Sequence, residues 1–127
     1  METIVKGMLR DIIENPLYDE KLIHQYFADQ YTQTVDHATL DLEHFKKHIQ
    51  KLKDLIQTVH VDVLNCVSEK ETVFTKHQVR SVLKDGSFTT HKVFAEFKIF
   101  DGKIVSCDEL TFLIDGSEAG KHLGSAL

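Results

Sequence analysis

The feature that most constrains this sequence is one change in hydrophobic period, near residue 57. Before it, apolar residues recur every three to four positions, which is the spacing of one face of an α-helix. After it, apolar and polar residues alternate as in β-strands, and turn sequences such as Asp-Gly separate the segments. Helices that precede a run of hairpin strands are typical of an α+β domain, in which an antiparallel sheet is covered on one face.

Three helices and one short strand are predicted in the first half. The first spans residues 2–14 and ends at Asn15-Pro16, because proline disfavours helical backbone at the residue before it. The second spans about Tyr18–Asp29, and Tyr31–Val35 follows as a short strand. Asp41 is the expected N-cap of a third helix that runs to about Leu55.

Four long strands joined by tight turns are predicted in the second half. No repeat or linker indicates a second domain, so we expect one domain over residues 1–115 and a tail over 116–127. The predicted strands are Val59–Val67, Thr72–Leu83, Phe88–Phe100 and Lys103–Ile114.

Charge and composition exclude several classes of protein. The 127 residues carry a net charge of −5, which argues against a nucleic-acid partner. No apolar run approaches the ~20 residues needed to cross a bilayer, and the first residues contain no signal-peptide core. Cys66 and Cys107 fit neither a zinc motif nor a disulfide framework, and we expect both to be reduced and buried. These features predict a cytoplasmic protein without a membrane partner.

Two segments resemble a known family. The stretch Tyr26–Asp36, YFADQYTQTVD, and the stretch Phe100–Glu109, FDGKIVSCDE, resemble the SnoaL-like, polyketide-cyclase-type proteins of the nuclear transport factor 2-like superfamily. The resemblance covers about residues 3–115. It implies three N-terminal helices packed on a strongly curved antiparallel sheet, a cone with a central pocket.

The resemblance leaves the function open, because members of this superfamily are cyclases, isomerases, dehydratases or non-catalytic binding domains. Two departures narrow the choice. Thr34 stands where the family often has histidine, which favours a binding module. The first helix lacks the tyrosine that ketosteroid isomerases of this fold use, so we do not expect that isomerisation.

Glu109 and His77 are the candidate catalytic residues. The family match places Glu109 on the pocket face, where an apolar surrounding raises the pKa of a carboxyl toward the range of a general acid or base. His77 shares a strand face with apolar residues, whereas Lys76 and Arg80 on the other face look solvated. Each residue has an alternative role that is only structural. For Glu109 it is a carboxylate whose charge is balanced by a neighbouring side chain, and for His77 it is an interior histidine hydrogen-bonded to a hydroxyl.

The faces of the strand Phe88–Phe100 are ambiguous. Core positions at Val93 and Phe97 would turn Glu96 outward, whereas the opposite assignment would place Glu96 in the cone. The residues expected to contact a ligand are Tyr31, Tyr26, Cys107 and Phe97, and for the two tyrosines packing in the core is an equal alternative.

Metal and cofactor sites are not expected. His44 and His48 have a metal-capable helical spacing, but no third ligand is identifiable, and no phosphate loop or dinucleotide motif is present. Leu110 and Phe112 fall on the convex face of the sheet, where a homodimer would bury them.

Two functional hypotheses follow. The first is cofactor-free acid–base catalysis next to a carbonyl of a small apolar or aromatic molecule, in which Glu109 and His77 move the proton and Tyr31 polarises an oxygen. The second is a non-catalytic ligand-binding or dimerisation module of the same fold.

Overall fold

Residues 1–116, which the computed structural model describes, form helices followed by a six-stranded sheet. The predicted tail beyond Gly116 lies outside the described residues. The helices are α1 (Glu2–Met8), the π-helical segment π1 (Leu9–Ile13), α2 (Glu20–Tyr26) and α3 (Leu42–Leu55). The strands are β1 (Phe27–Val35), β2 (Ala38–Asp41), β3 (Ile56–Glu69), β4 (Thr72–Leu83), β5 (Phe88–Phe100) and β6 (Lys103–Gly116).

The first two helices differ from their predicted forms. The last turn of the first helix widens into π-helix, where the Glu14 amide donates to the Leu9 carbonyl at 2.9 Å. The second helix begins after the Asp19 cap and ends at Tyr26, three residues earlier than predicted. Phe27 and the residues after it extend instead and pair with β6, because this pairing supplies their backbone with hydrogen bonds.

The third helix agrees with its prediction. Asp41 is the N-cap, and its Oδ1 accepts a hydrogen bond from the His44 amide at 2.9 Å. The apolar stripe of α3 is buried at Phe45, Ile49 and Leu52. This stripe holds α3 against the sheet.

The sheet order is β2-β1-β6-β5-β4-β3. Strands β3 to β6 are antiparallel to their neighbours, as predicted, but β1 is parallel to β6, so the fully antiparallel prediction was wrong there. No hairpin links β1 to β6, and a tight turn therefore does not set their relative direction. The edge strand β2 was not predicted. It follows a turn in which Asp36 and His37 have φ values of 48° and 79°.

One face of the sheet, here called the helix-covered face, is buried against the helices. The predicted inward positions of β4 and β5 are confirmed, with Val73, His77, Val93 and Phe97 all buried. The ambiguity on β5 is thereby resolved: Glu96 points outward, and its carboxylate lies 3.8 Å from the Lys98 ammonium.

A bulge in β6 overturns one prediction of facing. The alternation that puts Leu110 and Phe112 on the convex face predicts the same side for Ile104, but Ile104 is fully buried. The register with β5 shifts between Lys98–Ser106 and Ile99–Ile104, so one extra residue, Val105, is inserted. Such a bulge reverses the alternation, which places Ile104 and Cys107 on the same side.

The opposite face of β3–β6, here called the outer face, carries exposed apolar side chains. Leu110 and Phe112 are 45% and 50% exposed, and the rings of Phe94 and Phe112 meet edge to face at 6.2 Å. Cys66, expected to be buried, is only half-buried, and both cysteines are free thiols. The other large apolar residues exposed on these strands are Leu64, Val67, Phe74, Phe88, Phe100 and Ile114.

Candidate functional site

A chain of hydrogen bonds across two parallel strands leads to Glu109. The Tyr31 hydroxyl donates to Gln33 Oε1 at 3.0 Å, and Gln33 Nε2 donates to Glu109 Oε1 at 3.3 Å. Cys107 Sγ lies 3.9 Å from the other carboxyl oxygen of Glu109. All four side chains are buried. The arrangement is a buried carboxyl with fixed donors, supported by a phenol.

The register of β1 and β6 explains why these side chains meet. Gln33 pairs with Cys107, and Val35 pairs with Glu109. The inward-facing side chains of β1 therefore lie beside those of β6. Side chains alternate along a strand, and Tyr31 and Gln33 therefore share a face. Sequence reasoning missed Gln33, although its same-face spacing from Tyr31 was the signal that identifies it.

Burial dominates the electrostatics of the site. It raises the pKa of Glu109 to about 8, and the nearby Asp36 carboxylate adds to the rise. No cationic side chain within residues 1–116 forms an ion pair with Glu109. Burial also raises the pKa values of Tyr31 and Cys107 well above their usual range. The rise in the pKa of Glu109 agrees with the sequence-based expectation, and a pKa of about 8 leaves most of the carboxyl protonated at pH 7.

Asp36 fixes the end of β1 beside this carboxyl. Its amide donates to the Glu109 carbonyl at 3.1 Å. Its carboxylate accepts hydrogen bonds from the Thr111 amide at 3.1 Å and from the Thr111 hydroxyl at 2.7 Å. A second carboxylate is therefore held next to Glu109 by the turn that reverses the chain.

A small cavity adjoins the carboxyl. Its volume is about 20 Å³, which is enough for one water molecule. Three of the four predicted ligand contacts, Tyr31, Cys107 and Phe97, line it together with Glu109. The helical side of the cavity is formed by apolar side chains, among them Met8, Leu9, Ile13 and Phe45.

Tyr26, the fourth predicted contact, lies elsewhere. Its hydroxyl donates to Asp11 Oδ2 at 2.6 Å, and Asp11 is also paired with Arg10 at 2.8 Å. Its ring packs so closely on Gly7 that a Cβ there would lie 2.7 Å from the Tyr26 oxygen. Tyr26 therefore ties α2 to the first helix and does not line the Glu109 cavity.

His77 is buried on the helix-covered face but forms no hydrogen bond with Glu109. Its Nδ1 is 3.0 Å from the Thr75 hydroxyl, and its Nε2 makes no hydrogen bond within residues 1–116. Thr75 pairs with Ala95 and Ala95 with Glu109, so His77 stands two strands from Glu109 and one row along. Strand spacings put their Cα atoms roughly 12 Å apart in a flat sheet.

Burial lowers the pKa of His77 to about 4, and its ring is therefore neutral at pH 7. Further polar residues that sequence reasoning did not single out are buried near it. Ser81 and Thr89 face each other on β4 and β5, and His91 lies diagonally from His77. The helix-covered face thus carries a second polar region beside the Glu109 cavity.

The described residues offer no cluster for a metal. Within residues 1–116, no group of three His, Cys, Asp or Glu side chains is arranged to hold an ion. His44, one of the two helical histidines considered for this role, is exposed and has its Nδ1 2.6 Å from the Asp41 carboxylate. Across the same residues, no helix is long and apolar enough to cross a membrane.

Comparisons with known proteins bear on the fold. No family model matches the chain. An uncharacterized protein of Schizosaccharomyces pombe is 28% identical over 107 residues, which cover 84% of this chain and 82% of that protein.

Three solved structures share the architecture. AclR, a proposed hydroxylase from Streptomyces galilaeus, superposes with a TM-score of 0.74 at 11% identity, over 98% of this chain and 88% of its own. IdmH, a proposed polyketide cyclase from Streptomyces antibioticus, gives 0.72 at 12% identity, over 85% and 88%. A nuclear transport factor 2-like protein of unknown function from Exiguobacterium gives 0.63 at 21% identity, over 73% and 81%.

The chain has the nuclear transport factor 2-like fold. The likeness to SnoaL-type cyclase structures that was predicted from the two sequence segments is confirmed at the level of fold. At these identities the nuclear transport factor 2-like fold does not assign a reaction to this chain, because the same fold supports several chemistries.

Proposed function

We propose that this chain binds a small apolar or aromatic carbonyl compound on the helix-covered face and transfers a proton with Glu109, without a cofactor. The observation that carries the proposal is the buried Glu109 carboxyl, which ends a hydrogen-bond chain and has no cation beside it within residues 1–116. A cyclase, isomerase or dehydratase step next to a carbonyl requires such a group.

The pKa of Glu109, raised to about 8, suits both directions of proton transfer near neutral pH. In the acid form the carboxyl protonates an enolate or carbonyl oxygen. In the base form it removes a proton from the carbon next to the carbonyl. Gln33 orients the carboxyl by donating to Oε1, and the resulting carboxylate keeps this donor.

Tyr31 and His77 have supporting roles in this proposal. The Tyr31 hydroxyl donates its hydrogen bond to Gln33 Oε1, so Tyr31 influences Glu109 through the side-chain amide of Gln33. His77 is proposed as the second proton-transfer group. Its neutral ring lies buried on the same face, with Nε2 making no hydrogen bond within residues 1–116. A ligand that contacts both Glu109 and His77 has to reach across β5, the strand that separates them.

Binding requires the cavity to enlarge, because a volume of about 20 Å³ holds only a water molecule. Met8 and Leu9 form part of the helical side of the cavity, at the junction of α1 and π1. Methionine is unbranched and adapts easily to a changed packing shape. We propose that the ligand enters by displacing these two side chains.

The test does not need the natural substrate. Small ketones and 1,3-diketones are incubated with the protein in D₂O, and exchange at the carbon next to the carbonyl is followed by NMR. We expect faster exchange with the wild type and with Glu96→Gln, whose carboxylate is on the outer face, and loss of that acceleration in Glu109→Gln. An acceleration that survives Glu109→Gln, or none with any compound, would remove the catalytic role.

The second candidate function is a non-catalytic module that dimerises through the outer face. The water-sized cavity favours it, as does a depression of about 380 Å³ on the outer face lined by Phe74, Phe94 and Leu110. Lys76 and Glu96 line the same depression, so a second copy related by a two-fold axis would meet groups of opposite charge. We propose a homodimer through this face.

Light scattering at micromolar concentration tests the dimer. We expect a dimeric mass for the wild type and a monomeric mass for Leu110→Glu, because the variant buries a charge in the apolar contact. Leu55→Glu is the matched control, since Leu55 is equally exposed but lies at the end of α3. A monomeric wild type would rule out the proposed assembly.

A further inference from the structure

A third concavity, separate from the Glu109 cavity and from the depression on the outer face, lies beside α3. It has a volume of about 690 Å³ and lies between the segment Pro16–Tyr18, the last turns of α3 and the start of β3. This volume is within the range of small-molecule sites. Its lining combines an exposed leucine and a tyrosine ring with amides and two lysines, namely Leu17, Tyr18, Gln50, Gln57, Lys53 and Lys84.

Lys53 is held in an unusual position in this cleft. Its Nζ donates to the Ile13 carbonyl at 2.8 Å, at the end of π1. Carbonyls at the end of a helix lack internal partners, so this bond satisfies the backbone and fixes the amine. Lys53 forms no ion pair within residues 1–116.

Burial without an opposing charge changes the chemistry of the Lys53 amine. It lowers the pKa of Lys53 to about 8, so a larger fraction is unprotonated at neutral pH than for an exposed lysine. In the neutral form one N–H still donates to Ile13, and the lone pair remains available. A desolvated lysine of this kind is a nucleophile for carbonyl carbons.

Lys84 supplies a second positive group. It follows the last residue of β4, and its amide donates to the Leu55 carbonyl at 3.1 Å, which fixes this turn against the end of α3. The Lys84 ammonium forms no ion pair with any described residue. Asp54 is the one acidic side chain among the lining residues, against two lysines.

We propose that this cleft captures small carbonyl compounds that carry an anionic group, such as 2-oxo acids, with Lys53 forming an imine and Lys84 pairing with the anion. The Lys53 lone pair attacks the carbonyl carbon, the carbonyl π electrons move to oxygen, and one of the two nitrogen protons passes to that oxygen. The resulting carbinolamine loses its hydroxyl together with a nitrogen proton as water. One carbonyl compound and one amine thereby give one imine and one water, with no change in oxidation state.

Reductive trapping tests the proposal. The full chain is incubated with glyoxylate and cyanoborohydride at pH 7, and the modified lysines are identified by peptide mass spectrometry. We expect Lys53 to be labelled about tenfold faster than Lys51, an exposed lysine two positions earlier on the same helix. Equal labelling of the two lysines would overturn the proposal.

Two variants separate the roles of the lysines. Lys53→Arg keeps a donor for the Ile13 carbonyl and should remove the fast label while the slower label at Lys51 persists. Lys84→Gln should slow the labelling of Lys53 by glyoxylate but not by neutral propionaldehyde. If Lys84→Gln slows neither reagent, the anionic part of the proposal is wrong.

Discussion

The two faces of strands β4–β6 are built from alternate residues of the same segments, and each face carries exceptions to the usual pattern of apolar inside and polar outside. The helix-covered face buries Glu109, His77 and Thr75 among apolar side chains. The outer face leaves Phe94 and Phe112 about half exposed. Burying an unpaired polar group and exposing an aromatic ring both cost free energy. These two costs are the basis of the two proposals made above, proton transfer on the helix-covered face and dimerisation through the outer face.

The largest expected effect compares one phenylalanine from each face of β5. Phe97→Ala removes a ring that is 2% exposed, and we expect the free energy of unfolding to fall by about 3–5 kcal/mol. Phe94→Ala, on the outer face, should lower it by less than about 1 kcal/mol at concentrations where the chain is monomeric. Urea unfolding at two protein concentrations measures both. A large loss for Phe94→Ala in the monomer would contradict the proposed difference between the faces.

The strand segments were predictable because their side chains alternate and their turns contain Asp-Gly or charged residues. The ends of β4 and β5 agree with their predictions for this reason. The parallel pairing of β1 with β6 was not predictable from local pattern, since it joins residues more than seventy positions apart. The hydrogen bond between Gln33 and Glu109 was not predictable for the same reason, although the inward facing of Gln33 follows from its spacing from Tyr31.

The face of the sheet on which each side chain lies was predictable, except where the backbone departs from regular strand geometry. The inward position of His77 follows from alternation, but that of Ile104 depends on the bulge at Val105. The separation of His77 from Glu109 depends on register, which alternation does not define. The sequence therefore identified residues of the candidate site more reliably than the contacts between them.

A second prediction compares the carboxyls of the two faces, Glu109 and Glu96. The pKa of Glu109 is about 8 in the folded state, above its unfolded value, so the folded state holds the proton more tightly. This stabilisation is complete below the unfolded pKa and is lost as pH rises through about 8.

Between pH 6.5 and 8 the wild type should therefore lose up to about 1.4 kcal/mol of stability per pH unit. Glu109→Gln should flatten that slope, because an amide does not titrate. Glu96→Gln should leave it unchanged, since that carboxylate is accessible to water and close to Lys98. Urea midpoints across the pH range measure the slope. A slope retained in Glu109→Gln would assign it to another group.

A third prediction concerns His77, whose stability effect has the opposite sign. Its pKa of about 4 lies below the unfolded value, so folding favours the neutral ring. The stability from this shift is present above the unfolded pKa of about 6.5 and is lost as pH falls toward 4. His77→Gln should remove this loss of stability at low pH. Below pH 6.5 the protonation of Glu109 raises stability over part of the same range, so the two effects overlap.

The double variant His77→Gln with Glu109→Gln separates the two effects on the helix-covered face. No hydrogen bond joins the two groups, and they lie two strands apart, so their effects on the slope should add within about 0.5 kcal/mol. A strong departure from additivity would indicate direct coupling between His77 and Glu109.

The smallest expected effect is the change in the pKa of Glu109 when one of two nearby aspartates is neutralised. Asp36 is the larger electrostatic contributor to the raised pKa of Glu109, and Asp108, on the outer face of the same strand, is the smaller one. Asp36→Asn should therefore lower the pKa of Glu109 more than Asp108→Asn does. Asparagine tolerates the positive φ of 48° at position 36 and keeps an oxygen for the Thr111 donors, so the turn should persist. A carboxyl-carbon NMR titration of Glu109 measures both shifts. If Asp108→Asn produced the larger one, charge on the outer face would reach the buried carboxyl through the sheet, and the electrostatic separation of the two faces would fail.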